Sequence, residues 1–321
     1  MSGADSAIVA TCCSGDDVLA LYRLDDGESL GEIVVGDHPV HATVVSGRVF
    51  VATMGERSVA VIDRDGTVTR IETGVLGPSH FAVAAGKLFV SCTAGDVVAI
   101  IDPIAGVLEG RIPVGVEPHD LAAHDGLVYV GSRGDGTITV IDAESATVTG
   151  EVDIDDNARV GGIAIDAEIG RGFAVDQRGC RLVSFTLEAE PTRIGEATVG
   201  ADPYEVLHRD RLLYVPGRGD GTVLVVDANL RRLARYDGFN TPVTVVQYED
   251  AMWIIDRSAA ELVRIDGLEV PTPAPAITGQ STLAGILLSH YDNHAISLVD
   301  PERGVRWTTS TPEYPFGTLV I

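Results

Sequence analysis

Apolar residues along this chain fall in short blocks of four to six, rich in valine and isoleucine, and polar turns end each block before any helical period can develop. Arg48-Val49-Phe50-Val51, Ser58-Val59-Ala60-Val61-Ile62 and Thr137-Ile138-Thr139-Val140-Ile141 are typical blocks. Turns such as Gly219-Asp220-Gly221 join them, the mark of tight antiparallel hairpins. The blocks themselves recur as one phrase about every forty residues. Its fullest copy runs from Pro203-Tyr204-Glu205-Val206 through Leu213-Tyr214-Val215 to Val223-Leu224-Val225-Val226-Asp227. A proline stands 12 residues ahead of the middle apolar residue in five copies: Pro39/Val51, Pro78/Val90, Pro118/Val130, Pro203/Val215 and Pro242/Ile254. Each unit therefore reads as four short strands: a proline-led A, then B, then C ending in aspartate, then D, as in Thr67-Val68-Thr69-Arg70-Ile71.

Self-similarity at this period means an array of identical supersecondary units. Four-stranded units repeated radially make a β-propeller, in which neighbouring blades cover each other's sheets. The expected fold is all-β, one propeller domain over residues 1–321. C-strand ends fall near Tyr22, then at Asp63, Asp102, Asp142, Leu187, Asp227, Asp266 and Asp300, which predicts eight blades. Seven is the alternative, because Pro271-Thr272-Pro273-Ala274-Pro275 interrupts the pattern before the last unit. The first unit lacks a proline-led A strand, and Pro315 to Ile321 supply one, so the C-terminus is expected to pair with the N-terminal blade.

Leu127-Val128-Tyr129-Val130, a turn, and then Thr137-Ile138-Thr139-Val140-Ile141-Asp142 resemble the YVTN-type propeller repeat. The resemblance extends over almost the whole chain and implies the fold. It says little about activity, since related propellers include lyases, lactonase-like hydrolases and cell-surface modules. Function has to come from the site.

The formal net charge of -24 argues against nucleic acid and against anionic membranes as partners. Lys87 is the only lysine, a bias that a GC-rich genome explains most simply, with a halophile as the alternative. Cys12, Cys13, Cys92 and Cys180 are too few for a disulfide framework in 321 residues and read as reduced thiols. Met1 to Ala10 carry no basic segment followed by a long apolar run, and no stretch has the apolar length of a membrane helix. A cytoplasmic protein is expected.

In a propeller the A strands line the central channel, so residues two after each proline occupy equivalent places near one mouth. Here those places hold His41, His80, Asp120, Gly162, Glu205, Thr244 and Gly317, with His119 beside Asp120 and Tyr204 beside Glu205. Imidazole and carboxylate from successive strands suit a divalent zinc, iron or manganese ion, with His41, His80 and Asp120 as ligands. Glu205 and His119 are then the expected proton-transfer groups. A polar mouth lined by water-bonded side chains is the plainer reading of the same residues. Three residues after the middle B-strand position stand Arg133, Arg178, Arg218 and Arg257, in four consecutive units. Their paired donors suit carboxylate or phosphate oxygens, and with Tyr204 they are the expected substrate-binding set, although turn arginines also pair with nearby aspartates. Arg133-Gly134-Asp135 and Arg218-Gly219-Asp220 match an integrin-binding tripeptide, for which a hairpin turn is sufficient explanation. The turn Ser289-His290-Tyr291-Asp292-Asn293-His294 faces the same way, and no serine or cysteine sits in a nucleophile elbow.

Two functions follow. One is a metal-assisted lyase, hydrolase or isomerase acting on a small carboxylate- or phosphate-bearing compound. The other is a non-catalytic propeller that carries a metal or small ligand, or serves as a platform for a protein partner.

Overall fold

In the computed structural model, which describes residues 7–321, the repeat becomes eight four-stranded antiparallel sheets. The chain is an eight-bladed β-propeller. Blade 2 shows the pattern: A is Pro39–Val45, B is Arg48–Thr53, C is Ser58–Ile62 and D is Val68–Glu72. Among the described residues two short 3-10 turns, Thr93–Gly95 and Tyr291–Asn293, interrupt the strands. The closing strand is where the sequence placed it. Pro315–Val320 pairs with Ile8–Cys13, with Val9 opposite Val320 and Thr11 opposite Thr318. The proline-rich segment lies between the last strand of blade 7, Glu269–Pro271, and the first of blade 8, Thr278–Thr282, and does not cost a blade. Met1 to Ser6, part of the segment read for a leader, lie outside the described residues.

B and C strands are continuous apolar runs because both faces of each sheet are covered. Val128, Tyr129 and Val130 are fully buried, as are Val98, Ile141 and Val183. D strands lie at the outer edge and alternate, as in the exposed and half-buried residues of Arg232–Asp237. The chain divides into two compact units, one holding blades 1, 7, 8 and most of blade 2, the other running through Arg70–Phe239 and so holding blades 3 to 6. In the second unit, Phe89, Val98 and Val128 pack blade 3 on blade 4, and Tyr129, Ile138 and Phe185 pack blade 4 on blade 5. Phe173, Leu182 and Leu224 do the same for blades 5 and 6. In the first unit, Trp253, Leu262 and Leu288 join blades 7 and 8, and Tyr22, Leu298 and Trp307 join blade 8 to blade 1.

Candidate functional site

The inner strands of the second unit share one irregularity. Pro118 pairs with Ser132, but Leu121 pairs with Val130, so the A strand holds one residue more than its partner over that step. Pro78/Cys92 and Phe81/Val90 repeat this in blade 3, and Val160/Asp176 and Ile163/Ala174 in blade 5. A bulge of this kind turns side chains out of the alternating pattern. His80, His119 and Asp120 sit inside these bulges. Blade 6 goes further: Pro203 makes an isolated bridge to Gly217, and the ladder resumes only at Leu207 opposite Tyr214. Tyr204 and Glu205 are therefore released from the sheet. Gly161 and Gly162 make room for them. An added methyl on Gly161 would stand 2.5 Å from the Tyr204 carbonyl oxygen, and the Gly162 N–H donates to that oxygen at 2.8 Å.

Tyr204 is the centre of the resulting cluster. Its hydroxyl lies 3.0 Å from His119 Nε2, and the two rings meet edge to face at 5.8 Å. On its other side His119 packs against His80, ring centroids 4.2 Å apart. Serine and threonine hydroxyls set these backbones: Ser91 Oγ donates to the His119 carbonyl at 2.7 Å, and Thr93 Oγ1 to the Pro118 carbonyl at 2.9 Å. Two guanidinium groups lie over the Tyr204 ring, Arg218 at 4.5 Å and Arg133 at 5.5 Å, in cation–π range.

The two arginines differ in what compensates them. Arg218 reaches Asp202 Oδ2 with Nε and Nη2, both at 3.1 Å. Arg133 Nη2 donates at 3.3 Å to a neutral acceptor, Gln177 Oε1, whose amide nitrogen donates to Asp202 Oδ1 at 2.6 Å. Arg133 Nε is buried with no hydrogen-bond partner among the described residues. Burial, together with the like charges of Arg159 and Arg218, holds the Arg133 guanidinium below its ordinary range, against the pull of Tyr204 and Glu117. Burial likewise raises the Tyr204 phenol, with Glu205 and Asp120 adding to it and the arginines opposing it, so Tyr204 is protonated at neutral pH.

Several expected residues lie elsewhere. Asp120 spends its carboxylate on two backbone donors, Ile163 N–H at 2.8 Å and Leu121 N–H at 3.0 Å. Burial and the neighbouring Glu205 charge push it up to about 6, although those two backbone donors lower it. His41 belongs to the first unit, edge-on to Phe316 at 5.3 Å, and burial pushes it down to about 4. Arg178 is exposed and donates to the Asn157 carbonyl at 3.3 Å. Arg257, also in the first unit, pairs with Asp292 at 2.6 Å. Among the described residues no group of three or more His, Cys, Asp or Glu side chains has an arrangement that could hold a metal. Of the expected ligand set, His80 and Asp120 belong to the second unit and His41 to the first. Sequence reading missed Gln177, Asp202 and Arg159. Gln177 was open to it: Asp176 pairs in blade 5 as Ser132 and Gly217 do in blades 4 and 6, so Gln177 stands where those blades place Arg133 and Arg218. The eighth inner-strand position, unassigned from the sequence, is Thr278, which pairs with Ser289 much as Thr244 pairs with Ile255.

No family model matches this chain, and no curated protein matches it in sequence. Solved structures do match its fold. Dihydro-heme d1 dehydrogenase NirN in complex with DHE is 13% identical with a TM-score of 0.77, over 97% of this chain and 74% of that one. AztD from Citrobacter koseri is 14% identical with a TM-score of 0.69, over 98% of each chain. Virginiamycin B lyase from Staphylococcus aureus is 12% identical with a TM-score of 0.61, over 78% of this chain and 91% of that one. At these identities the likeness is one of fold. Among the described residues no helix is long and apolar enough to cross a membrane.

Proposed function

We propose that the Tyr204 cluster binds a small carboxylate- or phosphate-bearing compound and exchanges a proton with it through Tyr204 and His119. The observation that carries this reading is the unequal pair of arginines on one phenol ring: Arg218 is neutralised by Asp202, while Arg133 keeps a buried, partnerless Nε among like charges. An anion at Arg133 supplies the acceptor that site lacks and relieves the repulsion from Arg159 and Arg218. Tyr204, protonated and 3.0 Å from His119 Nε2, then stands beside the bound anion as a proton donor that the imidazole can restore. Such chemistry serves a lyase, hydrolase or isomerase. No step is assigned to a divalent metal. Membership of the YVTN-type repeat family and a cytoplasmic setting belong to the same reading; the first rests on the repeat phrase and the second on four unpaired thiols. The neighbours named as a dehydrogenase and a lyase make an enzyme compatible with the fold.

Calorimetric titration with a panel of carboxylates and sugar phosphates tests the proposal. Arg133→Gln should weaken the best binder by about tenfold or more, the loss of one charge-assisted contact. Tyr204→Phe should keep most of the affinity and lose conversion of the bound compound. Conversion unaffected by Tyr204→Phe removes the proton-transfer role, and binding unaffected by Arg133→Gln removes the site. A ligand bound at Arg133 but never converted by the wild-type protein makes the protein a carrier.

A further inference from the structure

The turn Tyr291–Asn293 in blade 8 plays no part in the anion site, yet it anchors a second cluster lying wholly in the first unit. Tyr291 meets Tyr314 at 5.0 Å with the rings 33° apart, and meets Phe316 nearly perpendicularly at 6.2 Å. His294 stands edge-on to Tyr314 at 5.0 Å, and His41 edge-on to Phe316 at 5.3 Å. Five rings gathered in a core would be fully buried. Here Tyr314 is 38% exposed, and the other four are half-buried.

One side of this cluster is fixed. The Tyr314 N–H donates to His294 Nδ1 at 3.0 Å, Ser14 Oγ donates to the Tyr314 carbonyl at 3.2 Å, and Ser289 Oγ to the Pro315 carbonyl at 2.8 Å. Gly15 lies against the Tyr314 ring: a methyl there would stand 2.7 Å from Tyr314 Cδ2 and 3.1 Å from Glu313 Oε2. That shared contact places the Glu313 carboxylate beside the ring. Asp16 joins it, accepting the Glu313 N–H on Oδ2 at 2.6 Å. Neither carboxylate is in an ion pair among the described residues, whereas Arg257, the nearby cation, is taken up by Asp292 at 2.6 Å. His41 is neutral near pH 7, since burial holds it at about 4, and adds a ring without a charge.

Electron-rich ring faces bordered by unpaired carboxylates repel anions and attract a cation with an apolar skin. We infer that this cluster is a binding site for an alkylammonium group, seated against Tyr314 and Tyr291 with Glu313 and Asp16 at its rim. The acidic balance of the whole chain favours the same sign of ligand.

Choline is a suitable probe, and 3,3-dimethylbutan-1-ol is its neutral isostere. Titration calorimetry at low salt should show saturable choline binding, with the isostere at least about tenfold weaker. Tyr314→Leu and Tyr291→Leu should each weaken choline by about tenfold, while Tyr314→Phe keeps it within about threefold. Circular dichroism checks each variant, and Tyr291→Leu carries the comparison if Tyr314→Leu fails to fold. No saturable choline binding overturns the inference. So does equal binding of the isostere, which would make the cluster a plain apolar patch. Unchanged choline affinity in the folded leucine variants places the cation elsewhere and overturns it as well.

Discussion

Asp120 makes the protein's stability depend on pH in a direction opposite to that of most aspartates. Its carboxyl is pushed up to about 6, chiefly by burial and further by Glu205, from an ordinary value of 3.8. A group raised on folding contributes its stability below the unfolded value, and loses it as the pH climbs through the folded one. The window is therefore pH 4 to 7. Across it, ionising Asp120 costs the folded state about 3 kcal/mol, the free-energy equivalent of that displacement. Asp120→Asn removes the titration and keeps an acceptor for one of the Ile163 and Leu121 amides, which use different carboxylate oxygens; the lost bond is an offset that does not vary with pH. Urea unfolding by far-ultraviolet circular dichroism at pH 4, 5, 6 and 7 gives the stability of each protein. The quantity of interest is wild type minus variant, because every other titrating group cancels to first order. That difference should fall by about 2 to 3 kcal/mol from pH 4 to pH 7, most steeply near 5, about midway between the unfolded and folded values. Glu205 is the lesser of the two groups that raise Asp120, so Glu205→Gln should reduce the effect and leave most of it. A difference that stays flat, or rises with pH, refutes the account of Asp120 as a carboxyl held back from ionising.

Three other outcomes follow from the same geometry. Gly161→Ala drives a methyl to 2.5 Å of the Tyr204 carbonyl, so it should cost about 1 to 3 kcal/mol of stability in urea unfolding and weaken anion binding, whereas Gly110→Ala, with open space around it, should do neither. Gln177→Glu puts a second carboxylate 2.6 Å from Asp202 and a negative charge 3.3 Å from Arg133; anion affinity should drop about tenfold or more at neutral pH and recover partly on acidification, read by calorimetry. Native protein treated with a thiol-exchange reagent should lose Cys180 first, because Cys12, Cys13 and Cys92 are buried and burial pushes their thiols well above the ordinary range, to about 12 for Cys13 and Cys92.

The blades were legible because their cause is local. A turn, an apolar run and a terminal aspartate repeat at fixed spacing, and each run needs cover on both faces, which the next copy supplies. The closing strand followed from the same phrase, since Pro315 stands there where Pro39 stands in blade 2; the register of blade 5 did not, and it puts Gln177 rather than Arg178 level with Arg133. The site was legible only in part. Equivalent positions brought His80, His119, Tyr204, Arg133 and Arg218 into one cluster, but equivalence does not say which way a side chain leaves a bulge. Asp120 was drawn into the backbone hydrogen bonds that its own bulge opened, and Arg178 turned out to Asn157 while its neighbour Gln177 bonded Arg133 and Asp202. Gln177 and Asp202 matter through partners on other blades, 25 to 44 positions away along the chain. A repeat read one copy at a time does not contain those pairings.

The contrast between the two arginines shows how a repeat acquires a site. Arg133 and Arg218 hold the same place in blades 4 and 6 and lie over the same ring, so the fold treats them alike. What separates them is the blade between, which carries Gln177 at the place where each of its neighbours carries arginine. The amide donates to Asp202, which fixes that carboxylate on Arg218, and offers Arg133 only a neutral oxygen. One guanidinium becomes scaffold and the other keeps its charge. A symmetric solution, with a carboxylate for each arginine, would hold the turns as well and bind nothing. In the proposed anion site, charge withheld from one position of an otherwise self-satisfied repeat is what distinguishes a receptor from a spacer, and Arg133 is that position.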